Sequence, residues 1–214
     1  MQTVSISSVI PAITEKQTTS EDWRRVESLI SADLSVEGFD FDPANLPEIF
    51  AKAYCGESAN GKGMCFIGMT GSGKSSRMDF FARKTYIKVI SAQEACATWV
   101  EIGGDQNITA FRAYIKADGY ESRYSTVSPF YCDLIIDDLG TESEKYTCFG
   151  AESDVMVQYI IPARYNVFPR WKTHFTTNLT KDQLKQRYGE RCFSRLNEMC
   201  AFIPLKSGDR RMGR

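Results

Sequence analysis

The chain has 214 residues, 43% of them hydrophobic, which is enough for one domain and an appendage around a buried core. No apolar run approaches the length of a membrane span, so we expect a cytoplasmic protein with no membrane partner. The net charge of −1 provides no global basic field, and seven cysteines without a C-x-x-C pair, beside one histidine, indicate reduced core thiols rather than a metal centre.

The N-terminal residues 1–40 are predicted to form an arm with one short amphipathic helix. Thr19 and Asp22 resemble a capping box, and an apolar face follows to about residue 32. So short a helix does not fold alone, and it either packs on the main domain or presents its face to a partner. A second helix is predicted over 46–54.

A phosphate-binding loop is predicted at residues 68–75, where the sequence fits the pattern G-x-x-x-x-G-K-[ST] between a strand at 64–67 and a helix at 76–82. An ordinary glycine-rich turn is the alternative interpretation. The glycines allow backbone N–H groups to face phosphate oxygens, Lys74 is expected to reach the β- and γ-phosphates, and Ser75 to hold Mg²⁺. The candidate nucleotide-binding residues are Gly68, Met69, Thr70, Gly71, Ser72, Gly73, Lys74, Ser75 and Ser76.

Beyond this loop, strands and helices alternate. Further strands are predicted at 86–90, 132–136, 173–177 and 201–205. Helices are predicted at 91–102, 108–116, 152–161 and 190–200, and one more begins after Thr180, which forms a capping box with Gln183. Pro162 is expected to end or kink the helix at 152–161, and residues 118–130 and 140–151 are predicted to be loops. This alternation predicts an α/β fold with a mostly parallel sheet covered by helices on both faces.

Polar side chains follow two of the predicted strands. Asp137 and Asp138 end the strand at 132–136, where Asp137 is expected to hold Mg²⁺ through water and Asp138 to polarise an attacking water. A strand that ends at a solvated Asp-Asp turn is the alternative interpretation. Asn178 ends the next strand, where its amide fits between the γ-phosphate and the water, although asparagine is also a common turn residue. Glu142 is either a residue behind the acid pair or a solvated loop charge.

Two basic groups lie towards the C-terminus. Arg191 and Arg195 are four residues apart and share a helix face, so they are either solvated, with Arg195 paired to Glu198, or one is an arginine finger for a neighbouring subunit. The cluster at 206–214 has three open interpretations: a disordered tail, a DNA contact, or a nucleotide-sensing arginine.

Four motifs in order resemble the DnaC/IstB-like group of AAA+ ATPases over roughly residues 40–212. These motifs are Gly-x-x-Gly-Ser-Gly-Lys-Ser, Leu-Ile-Ile-Asp-Asp-Leu-Gly-x-Glu, Thr-x-Phe-Thr-Thr-Asn-Leu and Tyr-Gly-Glu-Arg-x-x-Ser-Arg-Leu. The resemblance implies an AAA+ domain at 41–214, with a five-stranded sheet and a central loop strand. It also implies that Asn178 is the first sensor, Arg195 the finger and Arg210 the second sensor. Two departures from the family pattern are expected: the usual small helical lid finds no room after residue 205, and the arm before residue 40 is shorter than the helicase-binding domain of a typical loader.

The resemblance favours an ATP- and Mg²⁺-dependent ATPase acting on DNA as a helicase loader in replication. It further implies ATP-dependent self-assembly on single-stranded DNA or on the DNA complex of a helicase or transposase. An IstB-like transposition helper, a P-loop phosphotransferase and a weakly hydrolysing nucleotide-binding regulator are the alternatives. A GTPase is disfavoured because Thr180-Lys181-Asp182 lacks the N-K-x-D spacing.

Overall fold

The computed structural model describes residues 28–33, 50, 61–101, 133–148 and 150–205, apart from the side chains at 148 and 167. The chain forms two compact units, residues 1–59 and 60–214. In the first, residues 28–33 are helical with Ile30 buried, and Phe50 is helical and buried. Several predicted features lie outside the described residues: the rest of the arm, the boundary at residue 40, the helix at 108–116, and the cluster at 206–214 with any lid. Within the described ranges, no helix has the length and hydropathy needed to cross a membrane.

The second unit alternates strands and helices, as predicted. Its elements are β1 (Gly63–Ile67), α1 (Lys74–Thr85), β2 (Lys88–Ser91), α2 (Ala92–Glu101), β3 (Leu134–Leu139), β4 (Tyr146–Cys148), β5 (Ala151–Ser153), a π-helical turn (Met156–Ile160), α3 (Ile161–Val167), β6 (Thr173–Thr177), α4 (Lys181–Met199) and β7 (Cys200–Pro204).

Five strands form one sheet in the order β2-β3-β6-β1-β7, and every neighbouring pair is parallel. This confirms the predicted five-stranded sheet. The loop strand β1 is not central, however, because β6 occupies the middle and β1 lies between β6 and β7. The carboxyl ends of all five strands therefore lie along one edge, where the loop after β1 and the residues after β3 and β6 meet.

Helices cover both faces of this sheet, so the unit has three layers. Side chains alternate along the strands. Phe175 of β6 lies in the core cluster that contains residues of α2, the π-helical turn, α3 and α4. Its neighbour His174 points to the opposite face, where its ring centroid is 5.1 Å from that of Phe81 in α1. Four of the cysteines, at 65, 96, 192 and 200, are free and buried, as predicted.

Two strand predictions and one loop prediction were wrong in detail. β3 does not stop at the acid pair but continues to Leu139, with an irregular register after Ile136, because hydroxyls of β6 bond to its end. The predicted loop at 140–151 contains the antiparallel hairpin β4-β5, whose turn includes Gly150 at φ 79°. β2 begins at Lys88 rather than at residue 86, because Tyr86 caps α1 in the left-handed conformation.

The helix before β6 was predicted at 152–161, with Pro162 ending or kinking it. The predicted start is wrong because residues 151–153 form β5, and after the π-helical turn the chain continues as α3 to Val167. The π-helical turn allows the helix to continue past Pro162, which has no N–H to donate. The residue before the proline, Ile161, donates its N–H to the carbonyl of Met156, five residues back. α4 carries the predicted Thr180–Gln183 capping box. The two helical runs predicted after it are joined through a kink at Gly189, with φ 77° and ψ 163°.

Candidate nucleotide-binding and active site

The glycine-rich loop between β1 and α1 has a backbone that only glycine fits at several positions. Gly71 and Gly73 both have φ 81°, in the left-handed region. A Cβ at Gly68 would lie 2.8 Å from the carbonyl oxygen of Leu205, at the end of β7. The N–H of Gly68 donates to the carbonyl of Thr177 at 3.3 Å, so the loop begins between the ends of β6 and β7.

Lys74, the first residue of α1, folds back over this loop. Its Nζ donates to the carbonyls of Gly68 at 2.8 Å and Met69 at 2.9 Å, and to Oδ1 of Asn178 at 2.7 Å. The side chain is buried, with the whole residue 4% exposed. The structure thus brings the predicted phosphate-binding lysine into contact with the predicted sensor at the end of β6.

The other predicted loop residues differ in exposure. Ser72 is buried, and its N–H closes the turn on the carbonyl of Met69 at 3.2 Å. Met69, Thr70 and Ser76 are exposed, Met69 by 78%. The tip of the loop and the first turn of α1 are therefore open to solvent, while its base is packed.

The predicted magnesium pair is also brought together. The Ser75 hydroxyl donates to Oδ1 of Asp137 at 3.1 Å. The same carboxylate oxygen accepts a short hydrogen bond from the hydroxyl of Thr176. Because Thr176 also accepts the N–H of Asp138 at 2.9 Å, its one hydroxyl orients both members of the acid pair.

Asp138 has an unusual backbone for a non-glycine residue, with φ 54°. Its carbonyl accepts the N–H and the hydroxyl of Thr141 at 3.1 and 2.8 Å, which closes a turn through Gly140 at φ 103°. The Asp138 side chain is half-buried. Left-handed residues outside glycine often occur where the surrounding structure holds a functional side chain.

A further carboxylate lies close to the acid pair. Asp79 follows Ser75 by one turn of α1, and burial together with the charge of Asp137 raises the pKa of Asp79, against the lowering effect of Arg83. Sequence reasoning missed this residue, although its spacing of four from Ser75 places both on the same side of the helix.

Arg195 lies on the second half of α4, beyond Gly189. Its guanidinium lies over the ring of Tyr165, 5.2 Å from the centroid. The predicted alternative partner Glu198 instead accepts the hydroxyl of Tyr165 at 2.8 Å, and in the described part of the chain no ion pair joins Glu198 to Arg195. Arg191 is exposed. Within the described ranges neither arginine contacts the loop of its own chain, and Arg210 lies outside them.

Glu142 is not a solvated charge, which corrects one of its two interpretations. Its side chain is 0% exposed, and it accepts hydrogen bonds from the Gly140 N–H at 2.9 Å and the Tyr188 hydroxyl at 2.6 Å. Burial and the nearby Glu142 carboxylate raise the pKa of Tyr188, so the phenol remains a donor.

Thr176 is the site residue that sequence reasoning missed most clearly. The signal was available, since Thr176 lies two residues before Asn178 and therefore on the same side of the strand. A fully buried threonine on a central strand needs a polar partner, and the preceding acid strand offers one.

The site has the oxygen ligands that Mg²⁺ prefers, although few of them. Among the described residues, no group of three histidine, cysteine or acidic side chains could hold a metal ion by itself. A hydroxyl and a carboxylate in contact, from Ser75 and Asp137, match the small protein contribution that is usual when phosphates and waters complete the shell.

A parallel sheet with a glycine-rich loop between β1 and α1 is consistent with the core of a P-loop NTPase. No family model and no curated protein matches the chain. Among solved structures, the chain is similar to the crystal structure of the DnaC helicase loader, at 22% identity, with 91% of this chain and 95% of that chain covered and a TM-score of 0.41. A likeness this distant carries no argument about function.

Proposed function

We propose that this chain binds ATP with Mg²⁺ and hydrolyses it. One observation carries the proposal: side chains from three elements meet at the carboxyl edge of the sheet. Ser75 Oγ lies 3.1 Å from Asp137 Oδ1, and Lys74 Nζ lies 2.7 Å from Asn178 Oδ1. A lysine, a hydroxyl, a carboxylate and an amide beside a glycine-rich loop are the groups that phosphoryl transfer to water requires.

Each residue has a separate role in this proposal. Lys74 exchanges its carbonyl partners for β- and γ-phosphate oxygens, because its ammonium group is attracted more strongly by a negatively charged phosphate oxygen than by a neutral carbonyl oxygen. Water attacks the γ-phosphorus as the bond to the β-phosphate oxygen breaks, and the water proton moves towards the Asp138 carboxylate. Asn178 orients the water beside the γ-phosphate.

Ser75 and Asp137 are the residues that would hold Mg²⁺. When bound, the ion neutralises charge on the phosphate oxygens. Thr176 keeps the Asp137 carboxylate turned towards Ser75 through its short hydrogen bond, so the protein contributes a preset pair of oxygen ligands.

Two variants test the division of labour. Lys74→Ala should lose both ATP affinity and hydrolysis, because Lys74 contacts phosphates in the ground state. Asp138→Asn should retain ATP and slow its hydrolysis by about 10²- to 10⁴-fold, because Asp138 acts on the attacking water. ATP binding by calorimetry and phosphate release would be measured on both.

The exposed residues Lys185 and Glu152 provide matched controls, as Lys185→Ala and Glu152→Gln. Both should behave as the unmutated protein. Equal loss of ATP affinity in Lys74→Ala and Asp138→Asn would refute the assignment. Transfer of the γ-phosphoryl group to an acceptor other than water, without release of inorganic phosphate, would favour a phosphotransferase, and tight binding without turnover would favour a regulator.

We further propose that the active site is shared between copies, with Arg195 acting on the nucleotide of its neighbour. In support, the Arg195 guanidinium lies over the Tyr165 ring, and among the described residues it has no contact with the phosphate loop of its own chain. An arginine finger contributes about 10³ to 10⁵ in rate.

The biological role that we propose is loading of a replicative helicase onto DNA, on the basis of the ordered motifs. The DNA contact would be to phosphates of single strands, through the basic cluster at 206–214. A pull-down of the full chain with ATP against the host helicase and a neighbouring transposase tests this role. Capture of the helicase supports a loader, and capture of the transposase alone refutes it in favour of a transposition helper.

A further inference from the structure

A buried polar network joins the turn after the acid pair to the kinked helix α4. At its centre is the Glu142 carboxylate, with 0% of the side chain exposed. Oε2 accepts the N–H of Gly140 at 2.9 Å, and Oε1 accepts the hydroxyl of Tyr188 at 2.6 Å and the guanidinium of Arg187 at 3.3 Å. A buried carboxylate is stable only with such partners, so the three groups are held together as a unit.

On one side, the network fixes the turn that carries Asp138. The carbonyl of Asp138 accepts the N–H of Thr141, and Gly140 lies between them at φ 103°. A Cβ at Gly140 would lie 2.5 Å from Cδ1 of Leu179, so the turn also packs against the residue after Asn178. Asp138 is therefore held from its N–H side by Thr176 and from its carbonyl side by a turn that Glu142 anchors.

On the other side, the network fixes α4 where it bends. Arg187 and Tyr188 immediately precede the kink at Gly189, and the half of the helix that carries Arg195 follows it. Arg187 also pairs with Asp154 at 2.7 Å, and Asp154 caps the π-helical turn by accepting the N–H of Val157 at 3.1 Å. That turn leads directly into α3, which carries the tyrosine ring on which Arg195 lies.

We propose that Glu142 and Tyr188 are positioning residues for hydrolysis. Together they set the orientation of Asp138 and of the half of α4 that carries Arg195. This inference rests on the proposed ATPase function. Both residues act through the turn and through α4 rather than through the phosphate loop, so their effect should fall on turnover rather than on nucleotide binding. Positional errors of about 1 Å reduce catalysis by up to about 100-fold.

Tyr188→Phe removes one hydroxyl and keeps the ring, while Glu142→Gln keeps an acceptor and the side-chain shape. Tyr159→Phe is the matched control, because Tyr159 lies at the surface, stacked on Trp99. We expect Tyr188→Phe to lower the hydrolysis rate by about 10- to 100-fold with the Kd for ATP changed by less than about twofold. Glu142→Gln should lose less than Glu142→Ala.

Amide hydrogen exchange provides a readout that does not depend on hydrolysis. Tyr188→Phe should speed exchange both at residues 139–142 and at 190–196, although it removes no hydrogen bond to either backbone segment directly. Lys74→Ala should change neither segment. Faster exchange at only one segment, or a lower melting temperature with an unchanged rate per folded molecule, would overturn the inference. No phosphate release from the unmutated protein would refute the proposed hydrolysis instead, and the exchange result would still decide the coupling.

Discussion

Acid should destabilise this protein through His174, its single histidine. The residue is 2% exposed, and its Nδ1 accepts the N–H of Met64 at 3.2 Å. Burial, reinforced by the charges of Lys172 and Arg164, lowers the pKa of His174 from 6.5 to about 3. Between about pH 3 and pH 6.5 the ring is therefore neutral in the native state and takes up a proton on unfolding.

The sign follows from this difference in bound protons. The contribution of His174 to stability is complete above about pH 6.5 and is lost as the pH falls towards 3, because the unfolded state binds the extra proton in that window. Where the unfolded ring is fully protonated and the native ring is neutral, the free energy of unfolding falls by about 1.4 kcal/mol for each pH unit. The fall is smaller close to pH 6.5, because only half of the unfolded rings are protonated at that pH. A fall from pH 6.5 to 4.5 should therefore remove about 2 kcal/mol from the free energy of unfolding.

Urea unfolding of the unmutated protein and of His174→Gln at both pH values tests this prediction. The glutamine keeps an acceptor for the Met64 N–H and does not titrate, so it also removes the pH-dependent term. The unmutated protein should lose about 2 kcal/mol more than the variant between the two pH values. An equal loss in both proteins would refute the buried neutral ring.

Three further predictions concern the site. Thr176→Val should lower the free energy of unfolding by about 1 to 3 kcal/mol in urea titrations and slow ATP hydrolysis, because it removes the hydroxyl that accepts the Asp138 N–H and donates to Asp137, whereas Thr176→Ser should retain most of both. Arg195→Ala and Lys74→Ala should each be nearly inactive, and phosphate release should reappear on mixing them; no recovery while both assemble would place Arg195 within its own subunit and make Arg191 the next candidate. Affinity for single-stranded DNA should fall steeply with salt, and deletion of residues 209–214 should flatten that slope in a binding titration; an unchanged slope with lost hydrolysis would favour nucleotide sensing by Arg210.

The sheet and the phosphate loop could be predicted because their signals are local. The loop needs positive φ at positions 71 and 73, which glycine adopts without strain, and short apolar runs mark each buried strand. The capping box of α4 was also predictable, since Thr180 and Gln183 satisfy each other within one turn.

The environment of Glu142 was not predictable in the same way. Its partners Arg187 and Tyr188 lie 45 and 46 residues further along the chain, so no local pattern distinguishes a buried carboxylate from a solvated one. The hairpin β4-β5 was missed for a different reason. Its residues are mostly exposed and polar, so they lack the alternating apolar pattern that identifies a strand against a core.

The strand order accounts for the way β6 organises the candidate site. β6 lies between the loop strand β1 and the acid strand β3, so its end is the one part of the sheet adjacent to both. Asn178 accordingly reaches Lys74, while Thr176 reaches the acid pair. A displacement of β6 would move the lysine and the carboxylates relative to each other, whereas a displacement of β7 or β2 would not separate them. Substitutions at the end of β6 should therefore impair turnover more than equally buried substitutions on the edge strands.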